Sequence, residues 1–381
     1  MKLLILDDGY PSNELIYGDV FVHVRVKEYI KIHECLVASF LHKADYVYEG
    51  VCVKALKNIE QFKELIESYN PDLILMHFAM RDVIQEVVLK STRRFIIWVH
   101  GYEVIGWYRR LFNLEIRDLH PKKFIYLIYF NILQRREFRK VIKESNRSGR
   151  IHFVFVSKWM STIASRDTLF SKIDNFSVIP NPIDDKLFKY SDKAPELRKR
   201  ILLIRTFETK KYANDIAFKA IRLLSRYPLF NDLKFTIYGK GKYFIPLTNK
   251  IKMYPNIELY NHFIPQKEIP ASHATAGIFL CPTRQDSHGV SMCEAMCSGL
   301  VPVTSNNSAI PEYVENGVDG FTTMNAREIA DRIKYLYENP SAFLEMSKKA
   351  ASDIREKASI KKVVEAELEL IKNMNIPSPA L

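Results

Sequence analysis

The sequence predicts an α/β protein built from two doubly wound, Rossmann-like domains. Three observations carry that prediction. Short apolar runs alternate with amphipathic stretches, the alternation halts at a proline-rich linker, and it then restarts. A chain of 381 residues is also long for one domain of about 150 residues.

In the first half the buried strands are expected at Leu3 to Leu6, Leu36 to Phe40, Leu73 to Met76, Phe95 to Val99, Phe153 to Val156 and Ser177 to Ile179. Helices are expected from Val20, over Glu60 to Ser68 and over Val83 to Lys90. The run Pro180-Asn181-Pro182-Ile183-Asp184-Asp185 and the charged stretch Lys189 to Arg200 interrupt the pattern. Proline fixes φ and removes a backbone donor, so neither sheet extends through this run. The domains are therefore drawn as 1–185 and 186–357. The second sheet is expected from Ile201 to Ile204, Lys234 to Tyr238, Ile257 to Leu259, Gly277 to Leu280 and Val301 to Thr304. Its helices are Asp215 to Leu224, Val290 to Cys297 and Arg327 to Tyr337. Segment 358–381 carries an amphipathic helix, Lys361 to Met374, able to pack back on the first domain.

Composition narrows the class. With 47% hydrophobic and 26% charged residues the chain is a globular protein, not a fibrous or disordered one. Lys and Arg number 56 against 44 Asp and Glu, a net +12, which favours an anionic partner. Cys35, Cys52, Cys281, Cys293 and Cys297 form no CxxC pair, so they read as reduced thiols rather than a disulfide or zinc framework. The four-residue apolar run Leu3 to Leu6 is too short for a secretory signal, and no stretch reaches the roughly 20 apolar residues of a membrane span. A cytoplasmic protein is expected.

Two doubly wound domains place a ligand cleft between the carboxyl ends of their strands, where helix N-termini attract anions. The segment Pro282 to Pro302 fits such a place. A strand ends near Cys281, a loop carries Asp286, and Gly289 opens a helix that carries Glu294. Gly289, Val290 and Ser291 would offer free N–H groups to an anion, and Glu294 could accept two ribose hydroxyls. Equally, Asp286 could be a capping acid and Glu294 a solvated helix residue. Spacing leaves both readings open.

This segment resembles the signature of the family-4 retaining glycosyltransferases, two-domain GT-B enzymes whose two signature acids bind a nucleotide sugar. The first acid is usually Glu and is here Asp286; the second, Glu294, matches. So do Ala295-Met296, Gly299, Val301-Pro302-Val303, Ile310-Pro311-Glu312 and Asn316-Gly317-Val318-Asp319-Gly320-Phe321. The resemblance implies that Arg205 and a lysine five residues on, Lys210, clamp the donor diphosphate. Lys211 stands where the family usually has glycine. Gly239 and Gly241 would form a glycine loop under the nucleotide, although a plain strand-end turn reads the same way. In the first domain Gly18 matches one of a glycine pair near donor and acceptor, and His100 matches a histidine that approaches the transferred sugar. Whether His23, Arg25 and the strand-end pair Ser157-Lys158 face the cleft is left open.

The implied reaction transfers a hexose-type sugar from a UDP- or GDP-linked donor, with retention at the anomeric carbon. Arg205, Lys210 and the helix N-terminus would stabilise the leaving diphosphate, so neither metal nor cofactor is expected. Asp7-Asp8 and Asp184-Asp185 read as turn residues rather than metal acids. A nucleic-acid binder would suit the charge, but no zinc-finger, RRM or helix-turn-helix pattern is present, and a dehydrogenase would need a GxGxxG after the first strand. A sugar-nucleotide epimerase, a phosphorylase or a non-catalytic sugar-nucleotide binder remain the alternatives.

Between Arg109 and Arg150 stand twelve Lys or Arg against Glu115, Asp118, Glu137 and Glu144. Within that segment lies the aromatic-rich run Phe124 to Phe130. This pattern predicts peripheral attachment to an anionic membrane, at the inner face of the cell membrane. The acceptor then expected is a lipid-linked saccharide in surface polysaccharide synthesis.

Overall fold

The computed structural model describes all residues except 16–17, 114–120 and 376–381. Glu115 and Asp118, named above, and Arg117, one of the twelve basic residues between Arg109 and Arg150, lie outside the described residues. The chain forms two compact units, Met1–Pro182 with Ile360–Leu381, and Ile183–Ser359.

The first unit holds an eight-stranded sheet in the order β3-β4-β2-β1-β5-β6-β7-β8. Its strands are β1 (Lys2–Leu6), β2 (Glu34–Ser39), β3 (Tyr46–Tyr48), β4 (Val51–Ala55), β5 (Leu73–His77), β6 (Phe95–Val99), β7 (Ile151–Phe155) and β8 (Phe176–Val178). Every pairing is parallel except β3 with β4. β1, β5 and β6 are almost wholly buried, as the continuous apolar runs require for a sheet covered on both faces. The hairpin β3–β4 was not expected. It turns at Glu49 and Gly50, both at positive φ (43° and 86°), a two-residue connection without the usual Asn-Gly signature.

Helices α1 (Val20–Tyr29), α2 (Ile59–Tyr69), α3 (Pro121–Ser148) and α4 (Lys158–Asp167) belong to this unit. α2 begins where the Asn58 side chain accepts the Gln61 N–H and ends at left-handed Asn70. The helix expected over Val83 to Lys90 is a short α-turn, Arg81–Val83, running into a π-helical turn, Ile84–Val88. The wider turn still directs Val83, Ile84, Val87 and Val88 into the core.

The second unit has an all-parallel six-stranded sheet in the order β11-β10-β9-β12-β13-β14. Its strands are β9 (Arg200–Ile204), β10 (Lys234–Tyr238), β11 (Ile257–Tyr260), β12 (Ile278–Leu280), β13 (Val301–Ser305) and β14 (Phe321–Thr323). The flanking helices include α5 (Asn214–Leu224), α6 (Val290–Cys297), α7 (Ala326–Glu338) and α8 (Pro340–Ala358). Both amphipathic helices, α5 and α7, bury apolar stripes against this sheet. α6 differs, because six of its eight residues are buried.

The last helix, α9 (Ile360–Asn375), returns to the first unit. Ile360, Val363, Val364 and Ile371 form its buried stripe, and Glu367 sits within that stripe, wholly buried. The Glu367 carboxylate accepts the Tyr29 hydroxyl at 2.5 Å and lies 3.1 Å from Arg25 Nε, itself fully buried on α1. Arg25 also donates to the Asn181 side chain at 3.1 Å. An amphipathic pattern alone does not reveal such a pair.

Candidate functional site

In the second unit the expected residues gather at the carboxyl ends of β9 and β12. Arg205 follows β9 directly and is 7% exposed. Its Nη1 donates to the Ser291 hydroxyl at 2.8 Å, which brings it to the first turn of α6. The guanidinium lies over the Tyr212 ring at 5.0 Å, and its buried Nε has no hydrogen-bond partner. The Val290 and Ser291 N–H groups open the helix and have no intrahelical acceptor. A cation and two backbone donors therefore converge on one spot, a ready anion site.

Glu294 stands one turn further along α6 and is 8% exposed, so it is no solvated helix residue. It accepts a hydrogen bond from Gln266 Nε2 at 3.1 Å. Burial pushes its carboxyl up to about 7, Asp184 adds to that, and Arg205 and the Gln266 bond oppose it. Asp286 uses Oδ1 to accept the Gly289 N–H at 3.0 Å and the His288 N–H at 3.3 Å. Its capping reading is thus realised, and the expectation of a free N–H at Gly289 is corrected. Gly289 itself takes φ 84°, a left-handed conformation that costs glycine least.

The acid loop is bolted to the lysine turn. Arg284 forms a two-pronged pair with Asp215 at 2.8 and 2.7 Å, and donates to the Lys210 carbonyl at 2.7 Å. The Arg284 N–H and the Thr283 hydroxyl both bond the Lys211 carbonyl. The Lys210 ammonium lies 5.9 Å from the Tyr243 ring, whereas Lys211 lies 5.2 Å from the Tyr212 ring that Arg205 also covers. In this arrangement Lys211 shares an aromatic neighbour with Arg205 and Lys210 does not. Gly239 and Gly241 pack against the Arg205 loop. A Cβ at Gly239 would meet the Arg205 carbonyl at 2.0 Å, and one at Gly241 the Phe207–Glu208 backbone at 2.4 Å. Their immediate effect is to hold that loop in place. Gln266 and Arg284 carried no motif; only their side-chain chemistry marks them in the sequence.

In the first unit His100 follows β6. Glu103 accepts the His100 and Gly101 N–H groups at 3.1 and 2.8 Å and closes the turn. The His100 ring meets His77 through an Nε2···Nδ1 contact of 3.0 Å and packs against both Phe21 and Phe78, at 5.0 and 4.5 Å. Gly18 lets the loop before α1 sit against Gly9, whose carbonyl a Cβ would meet at 2.2 Å. His23 and Arg25 both point inward: His23 bonds Tyr10 and Glu49, and Arg25 pairs with Glu367. The Ser157 hydroxyl accepts the Met160 N–H at 3.1 Å and caps α4, so it is engaged in structure. Asp184 takes its turn role by accepting the Leu187 N–H, whereas Asp8 accepts the N–H of Phe40, 32 residues away, and so ties the end of β1 to the end of β2. Asp7 takes no turn role: it is wholly buried beside Asp19, and burial with that second carboxyl holds its own carboxyl well above the usual range. Among the described residues no group of three or more His, Cys, Asp or Glu could hold a metal ion.

Known proteins fit this arrangement. Residues 185–357 match the family Glycosyl transferases group 1, and the second unit is a domain of that kind. Over 369 residues the chain is 23% identical to a sucrose synthase from Melioribacter roseus, covering 90% of this chain but 43% of that protein. The chain thus spans less than half the length of that curated relative. Among solved structures, Anabaena Alr3699/HepE in complex with UDP and glucose aligns with a TM-score of 0.71 at 16% identity, over 98% of this chain and 100% of that one. Sucrose-phosphate synthase from Thermosynechococcus elongatus aligns with a TM-score of 0.75 at 10% identity, over 98% of both chains. At such identities the likeness is one of fold, and the fold is that of the GT-B glycosyltransferases.

Proposed function

We propose that the protein is a glycosyltransferase that takes a hexose from a UDP- or GDP-linked donor and transfers it, with retention, to a saccharide acceptor. The observation that supports this reading best is Arg205. A buried guanidinium with an unpartnered Nε, fixed by Ser291 at the N-terminus of α6, is suited to a diphosphate. Glu294, one turn along, suits the ribose hydroxyls, because accepting two O–H groups favours its ionised form.

Bond breaking at the anomeric carbon leaves positive charge on the sugar and negative charge on the diphosphate. Arg205, Lys210 and the Val290 and Ser291 N–H groups would stabilise the leaving diphosphate, with no metal or cofactor required. Asp286, through Oδ2, and His100 are assigned to the transferred sugar. The leaving phosphate would take the acceptor proton. A thermal-shift screen of nucleotide sugars tests the reading, since a ligand of the native state raises apparent stability by mass action. Stabilisation by one sugar nucleotide above its free nucleotide is expected; a flat response to all of them would overturn it.

We further propose that the acceptor is lipid-linked and that the protein works at an anionic membrane, in surface polysaccharide synthesis. Helix α3 supports this. Ile125, Tyr129 and Ile132 are exposed at helical spacing, and the same stripe continues as exposed Arg136, Lys140 and Lys143. The helix is therefore apolar along its first half and cationic along its second, a surface suited to acyl chains beside anionic headgroups. Among the described residues no helix is long and apolar enough to cross a membrane.

A further inference from the structure

We propose that His77 is a positioning residue for His100, holding that imidazole in one orientation through its Nε2. The proposal rests on the reading that His100 serves the transferred sugar.

Register explains how the pair arises. β5 and β6 run parallel with His77 opposite Trp98, and His100 lies two residues beyond Trp98. Alternation along a strand returns residues two apart to the same side. The His77 ring accordingly packs on Trp98 at 4.9 Å and reaches His100 Nε2 with its Nδ1 at 3.0 Å. The two imidazole planes are inclined by only 26°, which suits an in-plane N–H···N bond.

His77 is suited to this part by its surroundings. It is 2% exposed, and burial together with the nearby Arg25 holds it well below the usual histidine range, so the ring is neutral. A neutral imidazole has one donor nitrogen and one acceptor. The shared bond therefore commits one nitrogen of each ring and fixes which tautomers can coexist. Arg25 completes the support, lying 5.5 Å from the Trp98 ring and anchored by Glu367. Phe21 and Phe78 restrict rotation of the His100 ring.

The test is a long-range ¹H–¹⁵N spectrum of the histidine rings in the full chain, with His77→Phe, His77→Asn and His100→Ala variants. His77→Phe keeps ring volume without the hydrogen bond, and His77→Asn keeps a polar atom close to the Nδ1 position. The expected result is a single His100 tautomer in the unchanged protein, a mixture in His77→Phe, and recovery in His77→Asn. Hydrolysis of UDP-glucose without acceptor is the second readout. His77→Phe should lower kcat by about a hundredfold with little change in KM, the scale of a misplaced reacting group. An unchanged His100 signal in His77→Phe would overturn the proposal, as would full kcat despite a mixed tautomer. Failure of the unchanged protein to hydrolyse UDP-glucose would count against the proposed donor, and the spectrum would still decide the positioning role.

Discussion

Arg205 and Ser291 are 86 positions apart in the chain and joined by a hydrogen bond of 2.8 Å. That bond ties the loop after β9 to the first turn of α6 and sets the guanidinium at the diphosphate position proposed above. Replacing Arg205 with Lys keeps the charge but loses the planar fork. UDP binding measured by calorimetry should weaken at least tenfold in Arg205→Lys. Lys210→Ala should produce a loss of similar size, and Lys211→Ala a small one. The reverse order would transfer the diphosphate role to the lysine that shares Tyr212 with Arg205.

Glu294 gives a pH signature. Its carboxyl is raised to about 7 in the folded protein, above the 4.5 of an exposed Glu, so the native state binds the extra proton between those values. The stability it contributes is full below about 4.5 and is lost as pH rises through about 7. Glu294→Gln should therefore stabilise the ligand-free protein at pH 8 by on the order of 1–3 kcal/mol in urea unfolding, with no gain at pH 4.5. The same change should weaken sugar-nucleotide binding at pH 8. A variant that binds the donor normally would remove Glu294 from the site.

Metal independence is the third expectation. In the proposed reading Arg205, Lys210 and the helix N-terminus would supply the positive charge that a divalent ion would otherwise bring. Transfer should continue in excess chelator. Activity lost on chelation and restored by magnesium or manganese would overturn the assignment.

The membrane surface proposed for α3 can be tested by sedimentation with vesicles containing anionic lipid. Arg136 and Lys143 are exposed, whereas Arg135 donates to the Asp167 carbonyl and Lys140 pairs with buried Glu137, so neither of these is suitable for charge reversal. At about 1 kcal/mol for each basic residue near the leaflet, reversing Arg136 and Lys143 should weaken binding by about thirtyfold or more. Added salt should weaken it in the unchanged protein. No binding to anionic vesicles at low salt would sink the proposal.

The buried pair Arg25–Glu367 predicts strong coupling. Arg25→Met or Glu367→Leu alone strands a buried charge and should cost about 3–5 kcal/mol in urea unfolding. The double variant should recover most of that loss, because apolar residues can replace a buried ion pair at little cost. Additive losses would show that the two residues act separately.

Much of this architecture was legible because a buried parallel strand leaves a plain mark. Every expected strand is present with its ends within two residues, and Phe95–Val99, Lys234–Tyr238 and Val290–Cys297 match at both ends. The hairpin β3–β4 escaped because its turn is Glu49-Gly50, and β14 because Phe321-Thr322-Thr323 holds a single apolar residue and makes no apolar run. In the candidate site, the positions of Arg205, Asp286, Ser291 and Glu294 could be read from sequence, but their partners could not. Nothing near Glu294 announces Gln266, and nothing near Arg25 announces Glu367, because such contacts depend on how distant segments stack. Ser157 and Gly289 show the converse, where a local cap takes up a group that looked available.

The return of α9 to the first unit bears on how the chain matures. On the ribosome, residues 1–182 emerge before the second unit, yet Arg25 and Tyr29 must wait for Glu367, and the whole second unit is synthesised in between. Until then the Arg25 guanidinium lacks its counter-charge and the sheet face beneath α1 lacks part of its cover. The second unit, continuous from Ile183 to Ser359, has no such wait. The first unit is thus begun before the second and completed after it, with α9 as its clasp.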